Sequence, residues 1–193
     1  MKKMLVIVAL AVVSFANAQK GTILVGGNIE YNSTTYDHPL VETKTNTFGF
    51  SPKVGYQFHD NWTVGGEFSI NSAKQKGGGL ETKANVYTYG AFVRYTVPLN
   101  ETFSVFGDLG AGLQNQKSEN FENGSLITKS KADGIYVGLT PALFINMKKG
   151  FGLNFSIGGL GYETLNYDAS NTDFSKFYFN FGKTVNIGVS KNF

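Results

Sequence analysis

His38 is the first residue in the chain with a claim to chemistry. It follows Asp37 and precedes Glu42 in a polar stretch, and an imidazole beside carboxylates is the material of a general base or a metal ligand. One histidine among loop carboxylates is more simply a solvated loop residue. The other histidine, His59, opens the turn His59-Asp60-Asn61. The run Gly107–Gly112 (GDLGAG) has the glycines of a phosphate loop but not their G-x-G-x-x-G spacing, and Gly77-Gly78-Gly79 is not followed by the Lys-Ser/Thr of a P-loop. The chain has no cysteine, which removes both thiolate metal sites and a disulfide framework. No catalytic residue, cofactor site or metal site is expected, and the chain is read as not an enzyme.

A second set of charged residues points to pairing rather than catalysis. Glu30, Lys53, Glu67, Arg94 and Asp108 stand singly among glycines, serines, threonines and asparagines. If His59-Asp60-Asn61 is a three-residue turn closed by Phe58 and Trp62, Lys53 falls opposite Glu67. Across the turn Pro98–Thr102, Arg94 and Asp108 are opposite or one diagonal step apart. Such charges in a narrow interior must pair or carry a large desolvation cost, so an interior charge network is expected, with Glu30 as a further inward acid.

The elements that would hold these residues are strands. Eight segments alternate in polarity with period two: Thr22–Tyr31, Thr47–Phe58, Trp62–Ala73, Lys83–Val97, Phe103–Gln114, Ala132–Ile145, Phe151–Tyr162 and Phe177–Phe193. In the second, Phe48, Phe50, Pro52, Val54, Tyr56 and Phe58 share one face, and Thr47, Gly49, Ser51, Lys53, Gly55 and Gln57 the other. The sixth is less clean, because Tyr136 and Phe144 fall on its polar side. No helical period follows Gln19. The connections alternate long and short, which predicts four long loops at one end, Asn32–Asn46, Lys74–Thr82, Asn115–Lys131 and Glu163–Lys176, and three short turns at the other. Aromatic residues gather near both ends of the apolar face: Phe58, Trp62, Phe103, Phe151 and Phe193 by the short turns, Tyr31, Phe48, Tyr87 and Phe177 by the loops.

Which face is inside follows from volume. An eight-stranded barrel has an interior only just filled by side chains, and the apolar parity brings several large residues on nearly every strand. They do not fit inside, so a soluble ligand-carrying barrel is disfavoured. The small polar parity suits the interior, and the apolar parity faces lipid. The fold expected is all-β, an eight-stranded antiparallel up-and-down transmembrane β-barrel with two aromatic girdles.

The N-terminus supports export. Lys2 and Lys3, the apolar run Met4–Phe15 and Ala16-Asn17-Ala18 form a signal-peptide layout, giving a signal peptide over 1–18 and a barrel domain over 19–193. Removing two lysines with it lowers the formal charge from +3 to +1, which gives no argument for nucleic acid.

With its signal peptide, eight-strand layout and terminal TVNIGVSKNF, the whole mature chain resembles the small outer-membrane β-barrel family that includes the OmpX proteins, the opacity-type adhesins and the transmembrane domain of OmpA. The resemblance implies a bacterial outer-membrane location in a Gram-negative envelope, with outer-membrane lipids and lipopolysaccharide around the barrel. It also implies that Phe193, with Val185, Ile187 and Val189, acts as the signal read by the barrel-assembly machinery; Lys191 departs from that apolar pattern. The expected function is a structural membrane protein whose surface loops are available for adhesion or for an extracellular ligand. The alternative is a narrow, low-conductance porin or ion path, and behind both stands a lipid-modifying enzyme.

Overall fold

The computed structural model describes residues 21–39, 41–148, 150–168 and 172–193. The signal-peptide segment 1–18 and the side chain of Val185 lie outside the described residues. Eight antiparallel strands follow one another in sequence and close on themselves: β1 (Ile23–His38), β2 (Val41–His59), β3 (Trp62–Gly77), β4 (Leu80–Pro98), β5 (Phe103–Glu122), β6 (Ser125–Lys148), β7 (Phe151–Tyr167) and β8 (Thr172–Asn192). The ring is joined by β1 and β8 over the ladder Leu24↔Asn192 to Gly27↔Val189, and Phe193 exchanges two backbone hydrogen bonds with Ile23, of 3.0 and 3.2 Å. The fold is the eight-stranded up-and-down membrane barrel expected from the alternation.

The outer surface is the apolar one. Val54, Tyr56, Val64, Tyr89, Val93, Leu109, Val137 and Ile187 are all exposed, far more contiguous apolar surface than a soluble monomer shows. The girdle positions Phe58, Trp62, Phe103 and Phe151 are exposed near the short turns, and Tyr31, Phe48, Tyr87 and Phe177 are exposed toward the other end. Phe193 is half-buried, with the Lys191 ammonium 4.4 Å above its ring.

The predicted long loops are instead mostly strand. β5 and β6 run for 20 and 24 residues, where about 9–11 suffice to cross a bilayer, so their outer parts project as hairpins. The pairs Thr43↔Gly77 to Phe48↔Ser72 and Gly77↔Leu80 to Ala73↔Ala84 continue their ladders without a break in register. Two of the turns are two residues long: Gly78-Gly79, with φ of 57° and 80°, and Asn123-Gly124, with φ of 49° and 85°. Left-handed values at both central positions make the primed turn whose twist matches a hairpin. Polar side chains stitch the projecting strands together, as in Ser72 Oγ to Asn85 Oδ1 (2.7 Å) and Thr82 Oγ1 to Asn120 Oδ1 (2.9 Å).

Two local irregularities correct the sequence reading. The β2–β3 turn is Asp60-Asn61, closed by His59↔Trp62, and Phe58 is the extra residue of a bulge between Gln57 and His59. The bulge restores the register that a three-residue turn would have set. In β7 the ladder shifts between Ser156 and Gly158, where Gly158 takes φ 108°, and the outward phase passes from Phe155 and Ile157 to Leu160 and Tyr162.

Candidate functional site

Three consecutive inward rungs build the site, each read straight across β2 to β6. The rung nearest the short turns runs Gln57, Thr63, Arg94, Asp108, Thr140. The middle rung runs Gly55, Gly65, Phe92, Gly110, Gly138. The third runs Lys53, Glu67, Gly90, Gly112, Tyr136. Apart from Phe92, the middle rung has no side chains, and this absence lets the two charged rungs meet.

Arg94 and Asp108 form a two-pronged pair, Nε to Oδ1 at 2.6 Å and Nη2 to Oδ2 at 2.8 Å. Both residues are buried, at 7% and 6% exposure. Lys53 reaches over the glycine rung to donate to Asp108 Oδ2 at 2.8 Å, and its ammonium lies 3.7 Å from Glu67 Oε2. Tyr136 completes the chain of contacts by donating from its hydroxyl to Glu67 Oε1 at 2.8 Å. Its ring can lie across β5 and β4 only because Gly112 and Gly90 stand between it and Glu67. A Cβ at Gly112 would come within 2.9 Å of the ring and 2.6 Å of the Gly90 Cα.

The cations also rest on aromatic faces. The Arg94 guanidinium is 3.7 Å from the Phe106 ring centre, and the Lys53 ammonium is 4.9 Å from that of Phe92, the most buried large side chain in the barrel at 1% exposure. Ring faces favour cations by about 0.5–2 kcal/mol, more as water is excluded. Two cations thus meet two carboxylates, a phenol and two rings. Among the described residues no buried side-chain nitrogen or oxygen is left without a hydrogen-bond partner.

The cluster divides the interior. Toward the hairpins lies a polar cavity of about 420 Å³, lined by Ser69, Thr88, Gln114, Glu163 and Tyr178 as well as by Lys53 and Asp108. Toward the short turns lies a smaller space of about 50 Å³, against Leu24, Arg94, Phe106 and Ala142. Lys53 and Asp108 border both spaces, so they stand at the partition.

Of the five charged residues singled out from the sequence, the structure brings Lys53, Glu67, Arg94 and Asp108 together and leaves Glu30 apart. Glu30 is exposed in a separate recess beside Gly49 and Asn71, and no ion pair reaches it among the described residues. Sequence reasoning missed Phe92, Phe106 and Tyr136 as parts of the closure. The available signal was a large aromatic on the small polar parity, set at Phe92 and Tyr136 beside glycine on a paired strand. His38 sits at the β1–β2 tip, opposite Val41, and no group of three histidines or acids that could hold a metal occurs among the described residues.

The family model for the outer membrane protein beta-barrel domain matches residues 4–193. Among solved structures, the chain is similar to Ail, the attachment invasion locus protein of Yersinia pestis, solved with the heparin analogue sucrose octasulfate. The identity is 18%, with 90% of this chain and 99% of that one covered, at a TM-score of 0.51. Ail without that ligand gives a TM-score of 0.52 over the same coverage. OprG of Pseudomonas aeruginosa is 13% identical, with 92% of this chain and 99% of that one covered, at a TM-score of 0.46. No curated protein matches the chain. At such identities the solved structures speak for the fold alone, while the family match spans nearly the whole sequence: the chain belongs to the outer membrane protein beta-barrel domain family.

Proposed function

We propose that this protein is a closed outer-membrane barrel that serves the envelope structurally and uses its projecting hairpins to recognise an extracellular surface. The observation that carries this reading is the chemistry of the hairpin tips. Tyr36, Leu80 and Ile127 are 68%, 59% and 62% exposed, well outside the apolar band, and Leu126 and Phe174 are exposed at the same end. Large apolar side chains held out in water on paired strands are the usual anchors of a protein contact. An open ion path is the weaker reading, because Lys53, Glu67, Arg94 and Asp108 cross the lumen where such a path would run.

The test is to cut the β1–β2 and β5–β6 hairpins back to the membrane edge, rejoin each with Asn-Gly, and measure attachment of cells carrying the shortened barrel to host-cell monolayers. Attachment should fall to background, while the unheated protein keeps the fast gel mobility of a folded barrel. Full attachment by a folded, shortened barrel would sink the proposal.

Residues 1–18 are the proposed export signal, and Val185, Ile187, Val189 and Phe193 the proposed assembly signal. Phe193 also closes the seam through its bonds to Ile23, so its deletion should lower outer-membrane yield without blocking export.

A further inference from the structure

The outward face of β2 to β6 changes in the same order on every strand as it leaves the apolar band. The last large outward side chains are Phe48, Ile70, Tyr87, Leu113 and Ile135, and the next outward positions hold Asn46, Ser72, Asn85, Asn115 and Asp133. The positions after those are all lysine: Lys44, Lys74, Lys83, Lys117 and Lys131. Lys76 and Lys129 stand one outward position further. The register sets Lys44 opposite Lys76, Lys74 opposite Lys83 and Lys117 opposite Lys131. Like charges directly opposite on paired strands are destabilising unless an anion lies between them.

The protein supplies only part of that anion. Glu81 gathers Lys74, Lys76 and Lys83 at 3.2, 2.8 and 3.0 Å, and Glu119 pairs with Lys117 at 2.8 Å. With Asp133, and with Glu42 at the outward position beyond Lys44, they are four carboxylates among seven lysines. The rest of the circumference is different. Beyond Tyr31, Tyr162 and Phe177 the outward positions of β1, β7 and β8 read Ser33, Thr35 and Asp37, then Thr164 and Asn166, then Ser175 and Asp173. The positive surface is therefore an arc on one side of the barrel.

Its height names the partner. Four residues beyond the last apolar side chain, at about 3.3 Å each and a tilt near 40°, is roughly 10 Å above the hydrocarbon edge. The headgroup zone occupies about 5–8 Å of that, within reach of lysines that bend toward it. We propose that the arc binds the phosphate groups of anionic lipid headgroups in the leaflet beside it, giving the barrel a one-sided shell of anionic lipid. This surface faces sideways over the bilayer, whereas the proposed recognition surface is at the tips, so either reading can fail without the other.

The test uses the full barrel in phosphatidylcholine vesicles and compares the protein-bound fraction of spin-labelled phosphatidylglycerol with that of spin-labelled phosphatidylcholine. A preference of roughly fivefold for the anionic lipid is expected, from about 1 kcal/mol for a lysine at an anionic surface. It should fall toward one in K83Q/K117Q/K131Q and with added sodium chloride, and persist in K191Q at the opposite end. No preference in the wild-type barrel, or one unchanged by salt and by the triple substitution, would overturn the proposal. Displacement by inorganic phosphate beyond that by chloride at equal ionic strength would also overturn it, by assigning the arc to soluble anions. If the triple variant does not fold, the salt dependence of the wild-type preference decides alone.

Discussion

The two ends of this barrel solve opposite problems with the same strands. Near the short turns the wall faces lipid outside and a braced interior inside, and each of the three rungs between Arg94 and Lys53 is occupied or deliberately left as glycine. In the hairpins both faces of the same strands meet water, and side-chain contacts such as Lys176 with Glu163, at 3.2 Å, join neighbouring strands rather than brace the interior. The difference locates stability in the lower interior and leaves the upper strands free to carry recognition chemistry.

The largest effect is expected at Asp108, which holds both Arg94 and Lys53. Asp108→Ala leaves two cations facing Glu67 alone, and breaking such a buried arrangement costs about 3–5 kcal/mol. Urea unfolding in vesicles measures the loss, and planar-bilayer recording should detect a leak where the partition stood. A smaller cost, about 1–3 kcal/mol, is expected for Gly112→Ala, whose Cβ would meet the Tyr89 carbonyl oxygen and the Tyr136 ring. It should also quench the Tyr136 contact with Glu67, so that adding Tyr136→Phe to it changes little further. Glu30→Ala lies on the same inward parity but outside the cluster, and should change stability by no more than about 0.5 kcal/mol. An effect at Glu30 as large as that at Asp108 would erase the distinction between a braced zone and the rest of the interior.

The smallest effect belongs to the hairpins. Hydrogen bonds from Lys76 and Lys83 draw the Glu81 carboxyl down from its usual 4.5 to about 2. A depressed folded value means that the contribution is present above the unfolded value and is lost as pH falls from about 4.5 through 2. A carboxyl-resolved NMR titration should find Glu81 still ionised at pH 3, with only the β3–β4 hairpin loosening below that.

The same contrast explains what the sequence made legible. Where one face meets lipid, alternation carries the architecture, and Phe48 to Phe58 or Tyr87 to Val97 are readable at sight. Once a strand leaves the bilayer the alternation vanishes because water lies on both sides, so the hairpin strands pass for loops. Asn123-Gly124 was the readable signal there, since that dipeptide favours a two-residue hairpin turn. The pairs Lys53 with Glu67 and Arg94 with Asp108 follow from counting across short turns. The link between them does not, because it depends on Lys53 spanning a rung that is empty at Gly110, a relation between strands far apart in the chain. The phase change at Gly158 was equally hidden, since a bulge leaves the residue types on either side unaltered.

The central claim is that stability resides in the braced end while the hairpins open locally, and amide hydrogen exchange of the barrel in bilayer vesicles tests it most directly. Amides around Arg94, Asp108 and Glu67 should exchange only by global unfolding, and those in 74–83 and 117–131 faster by orders of magnitude despite their strand pairing. Equal protection at both ends would contradict the account.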